Sequence, residues 1–97
     1  MSAFFIATVT VKDGEKFQEY AVRSKETFDI SGGEIVLRGK YVAALTGKAS
    51  HQAAAIVKFQ NMNALDDWYN SKAYQALIPL RDEAADMTIV KYEVPQA

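Results

Sequence analysis

The sequence contains no cysteine among its 97 residues. This absence excludes disulfides, thiolate metal sites and cysteine catalysis, and it fits a reducing compartment. An excess of one charge is also missing, because eleven basic and twelve acidic side chains give a net charge of -1. Domains that bind nucleic acid usually carry a basic excess or a basic stripe. We therefore expect no nucleic-acid partner.

The sequence also has no long hydrophobic run, and its first residues do not show the pattern expected of a secretion signal. No apolar run approaches the roughly 20 residues that a transmembrane helix needs. Residues 1–11 have neither a basic start nor a small-residue cleavage site. We expect no membrane partner, a cytoplasmic location and a single domain over residues 1–97. A chain this short buries a modest fraction of its surface, and association with another copy is a common remedy.

The first part of the chain has the pattern of a strand followed by a helix. Residues 3–11 (AFFIATVTV) are β-branched and aromatic, which favours a strand. Asp13 suits a helix N-cap, and Gly32 and Gly33 suit the end of that helix. Between them, apolar and small residues recur at three- and four-residue steps, which predicts an amphipathic helix: Phe17, Tyr20, Ala21, Ser24 and Phe28.

The rest of the chain predicts four further strands and three short helices. The strands are expected at residues 34–38, 41–46, 53–60 and 87–94, with a two-residue hairpin turn at Gly39 and Lys40. Asn63 and Ser71 are expected to cap two short helices, and Pro79 suits the first turn of a third. Without the short strand at 41–46, the order is βαββαβ. This order predicts an α+β, ferredoxin-like fold, a four-stranded antiparallel sheet with helices on one face.

The first strand is apolar on both of its faces. Phe5, Ala7 and Val9 alternate with Phe4 and Ile6, and a strand of this kind is usually covered on both sides. The helices of the ferredoxin-like plan cover one face only, so the other face needs a partner. A second copy of the chain meets that need. We therefore predict a homodimer in which two sheets lie face to face and close a barrel across the dimer.

A specific arrangement of side chains resembles a known family. The pattern W-Y-x-S-x-x-Y, followed by a distal arginine, comprises Trp68, Tyr69, Ser71, Tyr74 and Arg81. Together with Tyr20 and the stretch GGEIVLRG at 32–39, it makes residues 3 to 94 resemble the DUF1330 family of the dimeric α+β barrel superfamily. The resemblance implies that fold and a homodimer. It implies no function, because the superfamily includes cofactor-independent monooxygenases, haem-degrading enzymes, muconolactone isomerases and stress-responsive proteins.

Two polar residues are candidates for chemistry. His51 is the only histidine, in the loop GKASHQ, where many relatives carry tryptophan, proline or arginine. It is a weak candidate for a general base or a haem ligand, and the alternative is a solvated loop histidine. Arg38 ends an apolar strand, and it faces inward if Val36 does. An inward arginine either clamps the carboxylate of a ligand or forms a salt bridge within the protein.

An aromatic group in the second half of the chain supplies the other candidates. Trp68, Tyr69 and Tyr74, joined by Tyr20 from the first helix, either line a ligand pocket or belong to the core. Tyr69 is also a weak catalytic candidate. Arg81 is expected to have a structural role, holding the helix end against the first helix or the partner subunit. No metal site is expected, because there is one histidine and the acidic pair at 66–67 points in two directions on a helix.

Three functions remain open on these observations. One is the binding or conversion of a small organic molecule in a pocket between sheet and helices, by cofactor-free oxygenation, isomerisation or lyase chemistry. The second is a non-catalytic metabolite-binding or stress-related accessory dimer. The third is haem binding through His51. We expect no cofactor for the first two, and the sequence leaves open whether the protein is an enzyme.

Overall fold

A computed structural model describes residues 1–95 and confirms the ferredoxin-like α+β fold. Its elements follow the chain in this order: β1 (Ala3–Val11), α1 (Gly14–Phe28), β2 (Glu34–Lys40), β3 (Ala53–Phe59), α2 (Met62–Tyr69), α3 (Lys72–Gln75), α4 (Ile78–Ala84) and β4 (Ala85–Glu93). The four strands form one sheet in the order β2-β3-β1-β4, and each neighbouring pair is antiparallel. Within residues 1–95, no helix is both long enough and apolar enough to cross a bilayer.

The helix starts follow side-chain capping, as expected, with one correction. The Asp13 carboxylate accepts a hydrogen bond from the Lys16 backbone N–H at 3.1 Å and begins α1. Ser71 caps α3, and Pro79 lies in the first turn of α4, which confirms both predictions. The prediction for α2 was wrong by two residues, because Asn61 and not Asn63 is the N-cap. β3 ends at Phe59, so the helix begins almost immediately after it.

The predicted hairpin turn and extra strand are wrong. Gly39 and Lys40 lie inside β2, where they pair with Ala54 and Ala53 of β3. Residues 41–52 form an irregular connection instead of a strand. The apolar side chains Val42 and Leu45 are 90% and 102% exposed there, so the segment buries no face against the sheet. Without such a buried face, the strand-favouring residues Tyr41, Val42 and Thr46 are not enough to make a strand.

The two faces of β1, both apolar in sequence, are covered to different extents. Ala3, Phe5, Ala7 and Val9 are buried beneath the helices, while the alternating residues are only partly covered. We call the uncovered side the open sheet face, and its apolar part comprises Phe4, Ile6, Leu37, Ile56, Val90 and Tyr92. Across that face the rings of Phe4 and Tyr92 stack with centroids 5.3 Å apart.

Trp68 is the centre of the core on the helix side of the sheet. Its side chain is buried and stacks on Phe5 with ring centroids 5.0 Å apart. It also contacts Phe28 and Tyr74, and its indole N–H donates a hydrogen bond to the Thr27 hydroxyl at 2.8 Å. These contacts join α2 to α1, α3 and the sheet. α1 packs mainly along α4 and less closely on the strands, which leaves space between α1 and the sheet.

Candidate functional site

A half-open cavity of about 370 Å³ occupies the space between α1 and the sheet. Strands β1 and β3 form its floor, and aromatic side chains form much of its wall: Phe5, Phe17, Tyr20, Phe28 and Trp68. The volume lies within the range of about 300–1,000 Å³ that is typical of small-molecule sites. A largely apolar lining with a few polar groups is also typical of such sites.

Alanines in the floor keep the cavity open. The strand register places Ala7 beside Ala55, and both residues line the cavity together with Ala53. Because these side chains are small and α1 stands away from the strands, nothing else fills the space. The sequence carried a signal for this feature that was missed. Alanine is depleted in strands, yet residues 53–55 are three alanines in succession at the start of β3.

A cationic edge, which we define as Lys25, Arg38 and Lys40, forms one side of the cavity. Lys25 comes from the last turn of α1, and the other two come from the edge strand β2. No aspartate or glutamate is among the residues that line this cavity. The sequence indicated Arg38 but neither lysine, because nothing local indicates that α1 and the end of β2 meet at one cavity.

Arg38 reaches the cavity through an irregularity in β2. Ile35 pairs with Val57 and Leu37 pairs with Ile56, so Val36 is the extra residue of a bulge. The bulge returns Arg38 to the helix side of the sheet, where it pairs with Ala55. Val36 itself is 51% exposed, and because of the bulge its orientation does not fix the face on which Arg38 lies. Within residues 1–95, the ion pairs join other residues, and Arg38 has no salt bridge.

Tyr20 and Tyr74 form a buried pair beside the cavity. Their hydroxyl oxygens are 2.8 Å apart, and Arg81 Nη1 donates a hydrogen bond to the Tyr74 hydroxyl at 3.1 Å. Burial raises the pKa of the Tyr20 phenol well above its ordinary value, and the contact with Tyr74 acts in the same direction. Tyr20 is therefore a neutral hydrogen-bonding group at physiological pH and is unsuited to act as a base.

Not all of the predicted site residues share the cavity. Tyr20, Arg38 and Trp68 line it, whereas Tyr74 is fully buried in the core and is not part of the lining. Tyr69 lines a second depression of about 410 Å³, which lies toward the β4 edge of the sheet.

The second depression also places Arg81 next to Tyr69. Arg81, Tyr69 and Lys91 are among its lining residues, and the Lys91 ammonium is bound to Asp66 at 2.8 Å. Burial lowers the pKa of Arg81, but the nearby phenols of Tyr69 and Tyr74 raise it by more, so the guanidinium stays charged. Through Tyr74 and Tyr20, Arg81 connects α4 to α1.

His51 lies on the opposite side of the sheet from the cavity. Its Nδ1 is 3.0 Å from the Thr10 hydroxyl and its Nε2 is 3.3 Å from the Thr88 hydroxyl. Thr88 pairs with Thr8, and both belong to the open sheet face. The structure therefore separates His51 from the aromatic candidates and from Arg38. Within residues 1–95, no three histidine or acidic side chains are grouped closely enough to hold a metal ion.

The sheet topology, the helices on one face and the cavity between them define a ferredoxin-like α+β protein. The chain belongs to the DUF1330 family, a domain of unknown function, whose model matches residues 2–94. No curated protein matches the chain. The family membership agrees with the resemblance carried by the tryptophan, tyrosines and arginine of the second half.

Solved structures with the same fold are similar over almost the whole chain. RPA0582 from Rhodopseudomonas palustris, a protein of unknown function, has 16% identity and a TM-score of 0.82, covering 99% of this chain and 84% of its own. A dimeric ferredoxin-like protein of unknown function from Jannaschia sp. has 12% identity and a TM-score of 0.77, covering 97% of this chain and 100% of its own. SnoaB from Streptomyces nogalater, a cofactor-independent oxygenase, has 11% identity and a TM-score of 0.71, covering 99% of this chain and 95% of its own. At these identities the likeness shows the fold alone.

Proposed function

We propose that this protein binds a small, largely apolar organic molecule in the cavity between α1 and the sheet. The observation that carries the proposal is the alanine floor beneath an aromatic wall, which leaves about 370 Å³ unfilled next to Trp68. The cavity is half open, so a ligand can enter it from solvent, and its largely apolar lining favours an apolar one. Burial of apolar ligand surface contributes roughly 25 cal/mol per Å² and would favour its binding.

The test is to fill the cavity from its floor. Trp68 is the only tryptophan and lines the cavity, so its fluorescence reports occupancy directly. We expect the neutral probe 4-phenylbutanamide to change Trp68 emission saturably in the wild type and not in Ala55→Leu. Ala73→Leu, an equal increase in volume at an exposed position of α3, is the matched control and is expected to bind like the wild type. Saturable binding that survives unchanged in a folded Ala55→Leu would contradict the proposal.

Conversion of the bound molecule is the second candidate function. The chain shares its fold with SnoaB, a cofactor-independent oxygenase, and its cavity combines an aromatic wall with the neutral phenol of Tyr20. In such a reaction Tyr20 would position the substrate by hydrogen bonding. His51 would take no part, because it lies across the sheet. Oxygen uptake with phenolic compounds, lost in Ala55→Leu and kept in Ala73→Leu, would support this candidate. If no compound of such a panel causes oxygen uptake, binding without conversion remains the proposed function.

We also propose that a second copy of the chain covers the open sheet face. Val90 and Tyr92 on β4 are 43% and 44% exposed, and Leu37 on β2 is 56% exposed, on the side that the helices leave uncovered. Contiguous exposed apolar surface of this kind marks an interaction site. The Jannaschia protein with the same fold is dimeric, which supports this choice of occupant. Each subunit would be a single domain, and the two sheets would close one barrel.

Sedimentation of two charge variants tests the dimer. Val90→Lys places a charge on the open sheet face, and we expect it to shift the protein from dimer to monomer. Val22→Lys introduces the same change at an exposed position of α1 and is expected to leave the dimer intact. A wild-type protein that sediments only as a 10.8 kDa particle would refute the proposal.

A further inference from the structure

We infer that the ligand of the cavity is an anion, a small apolar carboxylic acid whose carboxylate meets Arg38 at the cationic edge. This inference rests on the proposed binding function and adds the chemical class of the ligand. Its apolar body would lie over the central strands, against Phe5 and Trp68. The carboxylate would lie at the β2 side, where Lys25 and Lys40 accompany the arginine.

The charge distribution around the cavity is the first support. The whole chain has nearly balanced charges, yet three cations and no acidic side chain line this cavity. None of the three takes part in a salt bridge within residues 1–95. Cations gathered from two separate elements repel one another when no anion lies among them. All three side chains are exposed, and the field that they share along the apolar wall would attract a ligand of negative charge.

The position of Arg38 is the second support. The bulge at Val36 turns its side chain from the open sheet face to the cavity side, next to the alanine floor. A guanidinium presents a planar fork of donors that matches a carboxylate with two parallel hydrogen bonds, and a lysine ammonium does not. A carboxylate held in this way would leave the rest of the ligand to fill the apolar part of the cavity.

The dimensions of the cavity indicate the size of the acid. A volume of about 370 Å³ is near the lower end of the range for small-molecule sites. It suits a molecule with one or two rings or a short chain. The aromatic wall provides flat surfaces for such a body, and aromatic rings favour offset-stacked or edge-to-face contact with one another.

Paired probes that differ in charge alone test the inference. The acid 4-phenylbutanoate and the neutral 4-phenylbutanamide have nearly the same shape, and Trp68 emission reports binding of either one. We expect the acid to bind the wild type about tenfold more tightly than the amide, as one charge-assisted contact predicts. Added salt should reduce this preference, because it screens charges that are exposed to solvent.

Two arginine variants distinguish an effect of the cavity site from an effect of the protein's overall charge. Arg38→Gln should abolish most of the preference for the acid and leave the affinity for the amide unchanged. Arg23→Gln removes the same charge from an exposed position of α1 that does not line the cavity, and it should keep the wild-type preference. Thermal melting of both variants establishes that they are folded.

The possible failures of the inference and of the proposed function are distinct. Equal affinities for acid and amide in the wild type would overturn the inference, because the three cations would then extend into solvent as lysine and arginine often do. The proposed function would survive that result. A preference for the acid that Arg38→Gln leaves intact would also overturn the inference. If the wild type binds neither probe, both the inference and the proposed function lose their support.

Discussion

The hydroxyl groups of Tyr20 and Tyr74 lie 2.8 Å apart, and the Tyr74 hydroxyl also accepts a hydrogen bond from Arg81. This arrangement joins α1, α3 and α4 at one point beside the cavity. Tyr74 is the shared member, since it contacts both of the other side chains. Its position explains why the pattern of a tyrosine followed by a distal arginine spans two helices, separated by the turn that leads to Pro79.

Removal of the Tyr74 hydroxyl should destabilise the protein more than removal of the Tyr20 hydroxyl. Tyr74→Phe leaves both Tyr20 and Arg81 without this partner, and an unsatisfied buried group costs about 1–3 kcal/mol. Tyr20→Phe leaves the bond from Arg81 to Tyr74 in place. Urea denaturation of both variants and of the double variant measures the difference. Equal losses in the two single variants would mean that the bond from Arg81 contributes nothing.

The stability of the protein should fall at alkaline pH because of Tyr20. Burial raises the pKa of this phenol in the folded state, so the unfolded chain releases its proton first, near its ordinary pKa of about 10. The contribution to stability is therefore complete below about pH 10 and decreases as the pH rises further. Tyr20→Phe should show a smaller decrease than the wild type when the free energy of unfolding is measured on both sides of that pH. Parallel curves for the two proteins would contradict this assignment.

The hydrogen bond from Trp68 to Thr27 should be needed for full stability. The Thr27 hydroxyl accepts the indole N–H at 2.8 Å and donates to the Ser24 carbonyl at 2.6 Å, and both side chains are buried. Thr27→Val keeps the shape and leaves the indole N–H unpaired, at a cost of about 1–3 kcal/mol. Thr46→Val, in the exposed connection after β2, is the control and should unfold at the wild-type temperature. Equal melting temperatures for Thr27→Val and the wild type would refute this role.

The contact between Gly33 and Phe59 should not tolerate a methyl group. A Cβ at Gly33 would lie 2.7 Å from the Phe59 ring and 3.1 Å from the Phe28 Cβ. Phe59 is almost completely buried and has little room to move, so overpacking by Gly33→Ala should cost about 1–3 kcal/mol. Gly14 is the first residue of α1, and a Cβ there would have no atom within 4 Å. Gly14→Ala should therefore leave the stability unchanged or raise it slightly. A chemical denaturation curve for each variant is the measurement, and equal midpoints would contradict the packing argument.

Errors in the sequence-based prediction have physical causes that can be traced to particular residues. Asn63 and Asn61 are both good cap residues, and only the end of β3 at Phe59 decides between them. Residues 41–46 were expected to form a strand, but after one backbone hydrogen bond from the Tyr41 N–H to the Gln52 carbonyl the segment leaves the sheet. In both cases the local preference was correct, and the outcome depended on the surrounding structure.

Apart from the extra strand at 41–46, local patterns were sufficient for the order of the elements, the start of α1 at Asp13 and the apolar character of both faces of β1. These features depend on side-chain period and capping within a few residues, so they can be read directly from the chain. The bulge at Val36, the gap beneath α1 and the placement of Lys25 and Arg38 along one cavity depend on the register between strands and on helix packing. Those contacts join residues far apart in the chain, and therefore the cavity and its charge emerged only with the folded structure.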